Sequence, residues 1–272
     1  MPLFEITYIG VFTVVLAFIF GTVLASFITC TAGRVLAHED WTRGFSHCDT
    51  CGHKLEAVDL FPVISYLALG GKCRYCGSRV PIRCLISEVL LGVAFAGVVL
   101  AHGYIDAVML RNLLLAMLMM GLSFCDIDGH IIHMGFTTAI LVVWIGTLPF
   151  MSELNIYTAD GVFAAVVICG IMMLVSYSKT SAGKKGLNAD LIKIIAVYLL
   201  YTGLWKGIAA LAMTLVVWFI RKSSKKDNVA VVPILSICII ICLCVGEMLF
   251  RNGITGYLSY LSGLVKSFSI EV

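Results

Sequence analysis

Seven long apolar runs constrain this chain more than any other feature. A helix needs about 20 mostly apolar residues to cross the hydrocarbon core of a bilayer. Runs of this kind occupy 8–30, 84–102, 107–125, 131–150, 161–178, 191–220 and 229–250. Because 60% of the 272 residues are hydrophobic and only 13% are charged, a water-soluble domain is excluded. The sequence predicts an all-α polytopic membrane protein, and we expect the first run, which lacks a small-residue cleavage site, to be retained.

The run 191–220 leaves the number of spans open. It is too long for one ordinary span, and Lys206 lies near its middle. One continuous helix would place the basic cluster 221–226 on the opposite side from the other basic loops. A hairpin turning within 201–207 would return that cluster to the same side, although each arm would be only about 14 residues, which is short for a span.

The distribution of basic residues favours the hairpin. Seven Lys and Arg lie in 31–83, three in 178–186 and four in 221–226. Cytoplasmic loops carry the excess of Lys and Arg in membrane proteins. The sequence therefore predicts about eight transmembrane helices, with both ends outside the cytoplasm and these three segments inside it.

Only one polar segment is large enough to fold by itself. We predict four parts: a first transmembrane helix (1–30), a cytoplasmic loop domain (31–83), a transmembrane domain (84–250) and a C-terminal tail (251–272). The tail is weakly amphipathic over 256–268, so it either lies at the membrane surface or frays.

The loop domain contains two Cys-x-x-Cys pairs. The four cysteines are Cys48, Cys51, Cys73 and Cys76. Two such pairs supply the four thiolates of a tetrahedral zinc site. Gly52 and Gly77 follow the pairs directly, where the backbone has to turn tightly. The alternative is thiol–disulfide chemistry, which a reducing cytosol disfavours. We predict zinc.

Ionisable side chains at the ends of the apolar runs are candidates for chemistry. Ionisable groups near a membrane interior are costly, so they are functional candidates. Asp126 and Asp128 follow the third run, Asp190 precedes the sixth, and Glu88 opens the second. The topology places Asp126 and Asp190 at one depth on one face, where one of two adjacent carboxylates keeps its proton. Such a pair suits peptide hydrolysis.

Structural roles for these acids remain open. Asp190 at a helix N-terminus would be favourable by about 0.3–1 kcal/mol, and Lys193 lies within pairing distance along the helix. Asp126 or Asp128 could end a span at the water interface. Glu88 is expected to be a helix-start acid, and Asp59 to cap a short helix.

Four segments, in this order along the chain, resemble one family. They are "ASFITCTAGR" (25–34), the cysteine-containing block 48–92, "CDIDGHIIH" (125–133) and "GLNADLIKIIAVYL" (186–199). Together they resemble the type IV prepilin peptidases, membrane aspartyl proteases with a G-x-G-D motif. That motif reads "LNAD" here, with Ala189 in place of the second glycine.

The resemblance implies a specific activity. It implies cleavage of the basic leader of type IV prepilins or pseudopilins at the cytoplasmic face of the bacterial inner membrane. By position, Asp126 and Asp190 would be the catalytic pair, and the four loop cysteines would hold structural zinc. Many members also methylate the new N-terminus, which would require S-adenosylmethionine. Lipid and prepilin-like substrates would be the partners, with no nucleic acid.

Two other functions fit parts of the sequence. A catalytically silent membrane scaffold would use the zinc loop to bind a pilus or secretion component, and the altered "LNAD" motif suggests it. A membrane thiol oxidoreductase would use the two Cys-x-x-Cys pairs for redox chemistry. Leader cleavage would exclude the first, and one tightly bound zinc without thiol turnover would exclude the second.

Overall fold

The computed structural model describes residues 7–40, 45–103, 105–129, 131–150, 157–181, 189–223 and 230–251. The helices are α1 (Thr7–Leu36), α2 (Ile64–Ala68), α3 (Ile82–His102), α4 (Ala107–Gly129), α5 (Met134–Thr147), α6 (Tyr157–Ser181), α7 (Ala189–Ser223) and α8 (Val232–Arg251). A 3₁₀ turn, Leu148–Phe150, follows α5. Within these ranges no strand forms beyond two isolated β-bridges in the loop. The predicted all-α fold is confirmed.

Each predicted apolar run forms a helix, and local residues decide where it begins. The ring nitrogen of His133 accepts the N–H of Gly135 at 3.2 Å, so α5 begins only after His133. Asp106 accepts the N–H of Met109 at 2.8 Å just before α4. Such side-chain acceptors satisfy N–H groups that a helix leaves unpaired at its start. The predicted tail beyond Arg251 lies outside the described residues.

Helix α7 is broken at Gly203, inside the predicted turn 201–207. Gly203 has φ +72°, a left-handed conformation that favours glycine. The break frees backbone carbonyls, and the Leu200 carbonyl accepts the indole N–H of Trp144 in α5 at 3.0 Å. The hydroxyl of Tyr201 donates in turn to the Ile140 carbonyl at 2.7 Å. Helix α5 therefore supports the break.

Eight spans are not confirmed. Within the described part of the chain, four helices are long and apolar enough to cross a membrane: Gly10–Leu36, Ile82–His102, Ala107–Gly129 and Asp160–Ser178. The remaining apolar helices are shorter: Met134–Phe150, Lys206–Ile220 and Val232–Val245. One reason that fewer than eight helices qualify as spans is that the arms of the α7 hairpin are short, as the sequence predicts.

The buried core lies mainly among α4 to α8. Tyr198 and Leu199 of α7 and Leu235 of α8 are almost completely buried. By contrast, the outward faces of α1, α3 and α6 expose large apolar side chains. A water-soluble protein rarely exposes apolar surface of this extent. The exposed surface agrees with a membrane protein, and the predicted division into four parts stays a prediction.

Candidate catalytic and metal-binding sites

The first Cys-x-x-Cys pair forms a tight hydrogen-bonded turn. The N–H of Cys48 donates to the His53 carbonyl at 3.0 Å, and the N–H of Gly52 donates to the Cys48 carbonyl at 2.8 Å. Gly52 has φ +69°, which a residue with a side chain adopts only at a cost. The glycine after the pair therefore allows the turn.

The second pair repeats this pattern. The N–H of Cys73 donates to the Ser78 carbonyl at 2.8 Å, and the N–H of Gly77 donates to the Cys73 carbonyl at 3.0 Å. Gly77 has φ +71°. The two glycine-containing turns expected from the sequence are thus equivalent in backbone geometry, and each presents its two thiols on one side.

The four thiols of the loop form one cluster. The Sγ atoms of Cys48, Cys51, Cys73 and Cys76 all lie within 4.8 Å of one another. Those of Cys48 and Cys76 are 3.8 Å apart. Four thiolates at about 2.3 Å around a tetrahedral zinc ion are about 3.8 Å apart. None of the eleven cysteines, all of which lie within the described residues, forms a disulfide. The cluster could hold a metal, and its donors and spacing fit zinc.

The electrostatics of the cluster also suit a cation. A hydrogen bond from the backbone of Cys51, together with the Ser78 hydroxyl, lowers the pKa of the Cys48 thiol to about 6. The backbone of His53 lowers the pKa of Cys51, yet desolvation and the neighbouring thiols raise it to about 11. Adjacent thiolates oppose each other's ionisation. A shared divalent cation would remove that conflict.

Asp59 ties the middle of the loop to the second turn. Its Oδ1 pairs with Nε of Arg74 at 2.8 Å, and its Oδ2 accepts from the Tyr75 hydroxyl and the Glu56 N–H, each at 3.2 Å. The prediction that Asp59 caps a short helix is wrong, because α2 begins only after Val63, which has no side-chain cap.

Asp126 lies in the last turn of α4 and contacts the start of another helix. Its side chain is half-buried, and Oδ2 accepts the N–H of Val232, the first residue of α8, at 2.9 Å. That N–H has no acceptor within its own helix, and a helix N-terminus attracts negatively charged groups. Asp126 thus joins α4 to α8, and it does more than end an apolar run.

A buried pair of serines joins the same two helices about one turn deeper. The hydroxyls of Ser123 in α4 and Ser236 in α8 are 2.9 Å apart, and both residues are buried. Each hydroxyl also lies within hydrogen-bond distance of a carbonyl of its own helix, so one hydroxyl donates to that carbonyl while the other donates to its serine partner. Buried hydrogen bonds between apolar helices restrict how the helices slide. The pair therefore helps to hold the start of α8 beside Asp126.

Asp128 has a different environment from Asp126. Its carboxylate pairs with the guanidinium of Arg83 in the first turn of α3. Arg83 follows the second cysteine turn closely in sequence, so this ion pair joins the loop to the end of α4. Asp128 is therefore a link between the two parts of the molecule.

Asp190 lies in the first turn of α7, where the sequence predicts a helix start. Its Oδ1 is 3.1 Å from Nζ of Lys193, so the predicted ion pair is present. The preceding residues of the motif, including Gly186 and Leu187, lie outside the described residues. Asp126 and Asp190 thus contact different partners, and their assignment as a catalytic pair stays a prediction.

Sequence reasoning missed the residues that position the predicted ones. They are Ser78 beside the thiols, Ser123 and Ser236 between the helices, and the amide of Val232. The two buried serines had a signal, because they are polar residues within apolar runs. The amide had none, because nothing in the sequence indicates which carboxylate lies beside the start of α8.

Comparison with known proteins identifies relatives. The sequence model of the bacterial peptidase A24 N-terminal domain matches residues 19–102. The chain is 26% identical to a "Prepilin leader peptidase/N-methyltransferase" of Neisseria gonorrhoeae over 238 residues, 78% of this chain and 81% of the relative. Proteins of the same name from Pseudomonas putida and Dichelobacter nodosus are 31% and 30% identical over 62% and 59% of this chain.

The extent of these matches differs. The aligned regions cover 57% of the Pseudomonas putida relative and 55% of the Dichelobacter nodosus relative, so the chain spans little more than half of each. No solved structure matches the chain. The match to the A24 N-terminal domain includes the α1–loop–α3 region, which contains the cysteine cluster. On these grounds the chain is similar to prepilin leader peptidases, and its residues 19–102 match the N-terminal domain of the bacterial A24 peptidases.

Proposed function

We propose that this chain is a membrane aspartyl endopeptidase that removes the leader peptide of prepilins or pseudopilins, with Asp126 and Asp190 as its catalytic pair. The observation that carries the proposal is the position of Asp126. In a chain similar to prepilin leader peptidases, a half-buried carboxylate lies at the end of a candidate membrane span and accepts a hydrogen bond from the first amide of α8. If the scissile bond of the prepilin lies next to the prepilin's own hydrophobic helix, that bond would reach the depth of Asp126 in the membrane.

The proposed chemistry needs two carboxylates in different protonation states. Two carboxylates that share a site do not both ionise, so one keeps its proton. The ionised carboxylate takes a proton from a water molecule, which attacks the scissile carbonyl. The protonated carboxylate donates to the carbonyl oxygen and stabilises the tetrahedral intermediate. The first carboxyl group then gives the proton it took from water to the leaving amine, the peptide C–N bond breaks, and the leader is released with a new carboxyl terminus.

Zinc in the loop would have a structural role. Cys48, Cys51, Cys73 and Cys76 supply all four ligands of a tetrahedral site, which leaves no open position for water or substrate. Bound zinc would neutralise the thiolates and hold the two cysteine turns together. The gathering of all four thiols in one cluster also favours metal binding over thiol oxidoreduction.

The basic segments support an orientation with the active site facing the cytoplasm of the bacterial inner membrane. The loop 31–83 contains seven of the 19 Lys and Arg, and cytoplasmic loops carry such an excess. The chain's relatives are named N-methyltransferases as well as peptidases. We include methylation of the new N-terminus with S-adenosylmethionine in the proposal, and assign no residue to it.

The test is cleavage of a prepilin by the purified full-length protein in lipid. Asp126→Asn and Asp190→Asn should each lower kcat/KM by about 10²–10⁴-fold, since general acid–base groups contribute that much. Asp160→Asn is the matched control, because Asp160 also lies in the first turn of an apolar helix. It should cleave like the wild type. Full activity in either site variant, with zinc bound, would disprove the pair.

A silent scaffold remains the second candidate because of the "LNAD" sequence. The family's two motif glycines are replaced by Leu187 and Ala189, and side chains there restrict the backbone. If the intact wild-type protein cleaves none of several prepilins, the scaffold becomes the better explanation. Restoring the glycines with Leu187→Gly and Ala189→Gly would then be expected to generate activity.

A further inference from the structure

A short part of the zinc loop exposes an unusual amount of apolar surface. Between the two cysteine turns, the segment 58–67 (here the apolar segment) carries five large apolar side chains with exposed fractions of 39–65%. They are Val58, Leu60, Phe61, Ile64 and Leu67. Exposed apolar patches of this kind mark interaction surfaces. The position of the segment in the fold indicates what these side chains contact.

A hydrogen bond fixes the depth of the apolar segment. The N–H of Val63 donates to Oε2 of Glu88 in α3 at 2.7 Å. Glu88 lies five residues beyond Arg83, which pairs with Asp128 at the end of α4. At 1.5 Å per residue, Glu88 is about 7.5 Å further along α3 than this ion pair. The segment therefore reaches past the end of α4 toward the membrane interior.

The backbone of the segment is held in a costly conformation. Val63 has φ +62°, which is rare for a β-branched residue. Strain of this kind persists only where surrounding contacts enforce it. The bond to Glu88 is one such contact, and the Tyr66 hydroxyl donates to the Val80 carbonyl at 3.4 Å. Both contacts hold the segment against the first turns of α3.

The outward face of α3 also exposes large apolar side chains. Ile82, Ile86, Leu90 and Val93 are exposed by 44–64% and recur at the spacing of one helix face. Because α3 is long and apolar enough to cross a membrane, lipid would cover this face. The apolar segment is bonded to Glu88 in the second turn of α3, so its exposed side chains lie at a depth that the bilayer would reach. Exposed Lys72 and Arg79 follow the segment and suit anionic headgroups.

We propose that the apolar segment inserts into the lipid interface and anchors the zinc loop to the bilayer. Glu88 sets its depth through the Val63 amide, which is a role beyond that of a helix-start acid. The partner is the lipid, since Glu88 holds the segment at the depth of the second turn of a candidate span, and the exposed basic side chains of Lys72 and Arg79 follow it. This proposal is independent of the peptidase activity.

Photocrosslinking of the full-length, zinc-bound protein in nanodiscs tests the proposal. p-Benzoylphenylalanine would replace Phe61 in one variant and Phe45 in the matched control, with phosphatidylglycerol and phosphatidylethanolamine in the bilayer. Both are exposed loop phenylalanines, but the Phe45 ring lies 3.1 Å from the Lys54 ammonium. We expect at least about fivefold more lipid adduct at position 61, by mass spectrometry. Equal yields at the two positions, or no lipid adduct, would overturn the proposal.

The competing partners give different adducts in the same experiment. With a prepilin present, a predominant adduct between position 61 and the prepilin would identify a substrate surface and refute the lipid assignment. A predominant adduct to a second copy of the chain would refute it as well.

Substitution of Glu88 tests whether this residue sets the depth of the apolar segment. Glu88→Ala removes the acceptor of the Val63 amide and should lower the lipid adduct at position 61 severalfold, whereas Glu88→Gln retains an acceptor oxygen and should preserve it. An unchanged yield in Glu88→Ala would refute the role assigned to Glu88.

Discussion

The cysteine cluster and the surroundings of Asp126 are assembled in different ways. All four thiols come from one loop, and two short turns of the same geometry bring them together. The contact of Asp126 joins residues that are far apart in sequence, because its partner is the first amide of α8. A local motif tolerates changes elsewhere in the fold. A site made by distant helices depends on how those helices pack.

Removal of a buried thiol should have the largest effect of these changes. That effect should be confined to the loop. Cys73 is 8% exposed, and Cys73→Ser removes one of four ligands. Structural zinc sites contribute about 10–16 kcal/mol of apparent binding energy in small peptides, so we expect zinc to fall from about one per chain to near zero. Elemental analysis and limited proteolysis of the loop measure the result.

Cys30→Ser is the control for this substitution, because Cys30 lies near the loop at Ser46 and outside the cluster. It should retain zinc. Retention of zinc by Cys73→Ser would show that the four thiols do not act as one site.

The metal-free loop should react unevenly with alkylating agents. Because the pKa of Cys48 is lowered to about 6 and that of Cys51 is raised to about 11, Cys48 is the more ionised thiol of this first pair at pH 7. After zinc has been removed with a chelator, we expect Cys48 to be alkylated at least about tenfold faster than Cys51. Peptide mapping over a time course measures both rates.

The sign of the pH dependence follows from the lowered pKa of Cys48. The folded loop favours the thiolate, so this contribution to its stability is present above the ordinary pKa of 9 and is lost as the pH falls through about 6. An alkylation rate at Cys48 that still rises steeply between pH 8 and 9 would contradict the lowered pKa.

Loss of the serine pair should affect the distant site moderately. Ser236→Ala leaves Ser123 without its partner on α8, at a cost of about 0.5–1.5 kcal/mol. If the proposed activity is present, kcat should fall while KM stays nearly constant, because Asp126 is displaced and the leader still binds. Thermal unfolding and steady-state cleavage measure the two effects.

Ser87→Ala provides the comparison, since Ser87 is equally buried and donates to its own helix at the Cys84 carbonyl. An equal fall in kcat for both variants would rule out a specific positioning role. Ser236→Thr retains the hydroxyl and should recover part of the rate.

The ion pair between the two regions should have the smallest effect. The side chains of Arg83 and Asp128 are 53% and 24% exposed, and partly exposed ion pairs contribute about 0–1 kcal/mol. A double-mutant cycle with Arg83→Gln and Asp128→Asn should give a coupling energy in this range that declines with added salt. Coupling well above it would mean that the loop and the helices unfold as one unit.

Features that depend on residues close together in sequence could be predicted, whereas contacts between residues far apart in sequence could not. The seven apolar runs predicted the long helices, and the paired cysteines with their glycines predicted the turns, because local pattern determines both. The turn near Gly203 was expected from the charge distribution, although the support from Trp144 and Tyr201 was not. The role of Asp59 was predicted wrongly, since Arg74 and Tyr75 approach it only after the second cysteine turn has formed.

Sequence by itself determined that this chain is helical, apolar enough for a membrane, and equipped with four thiols for one metal. Those properties depend on composition, period and short spacing. Tertiary structure decided that Asp126 bonds to α8, that Asp128 pairs with Arg83 and that Glu88 holds Val63. Each of these contacts joins polar groups near the ends of different helices, where burial penalises an unpaired charge or amide. Only the packing of the helices determines which partner each group finds.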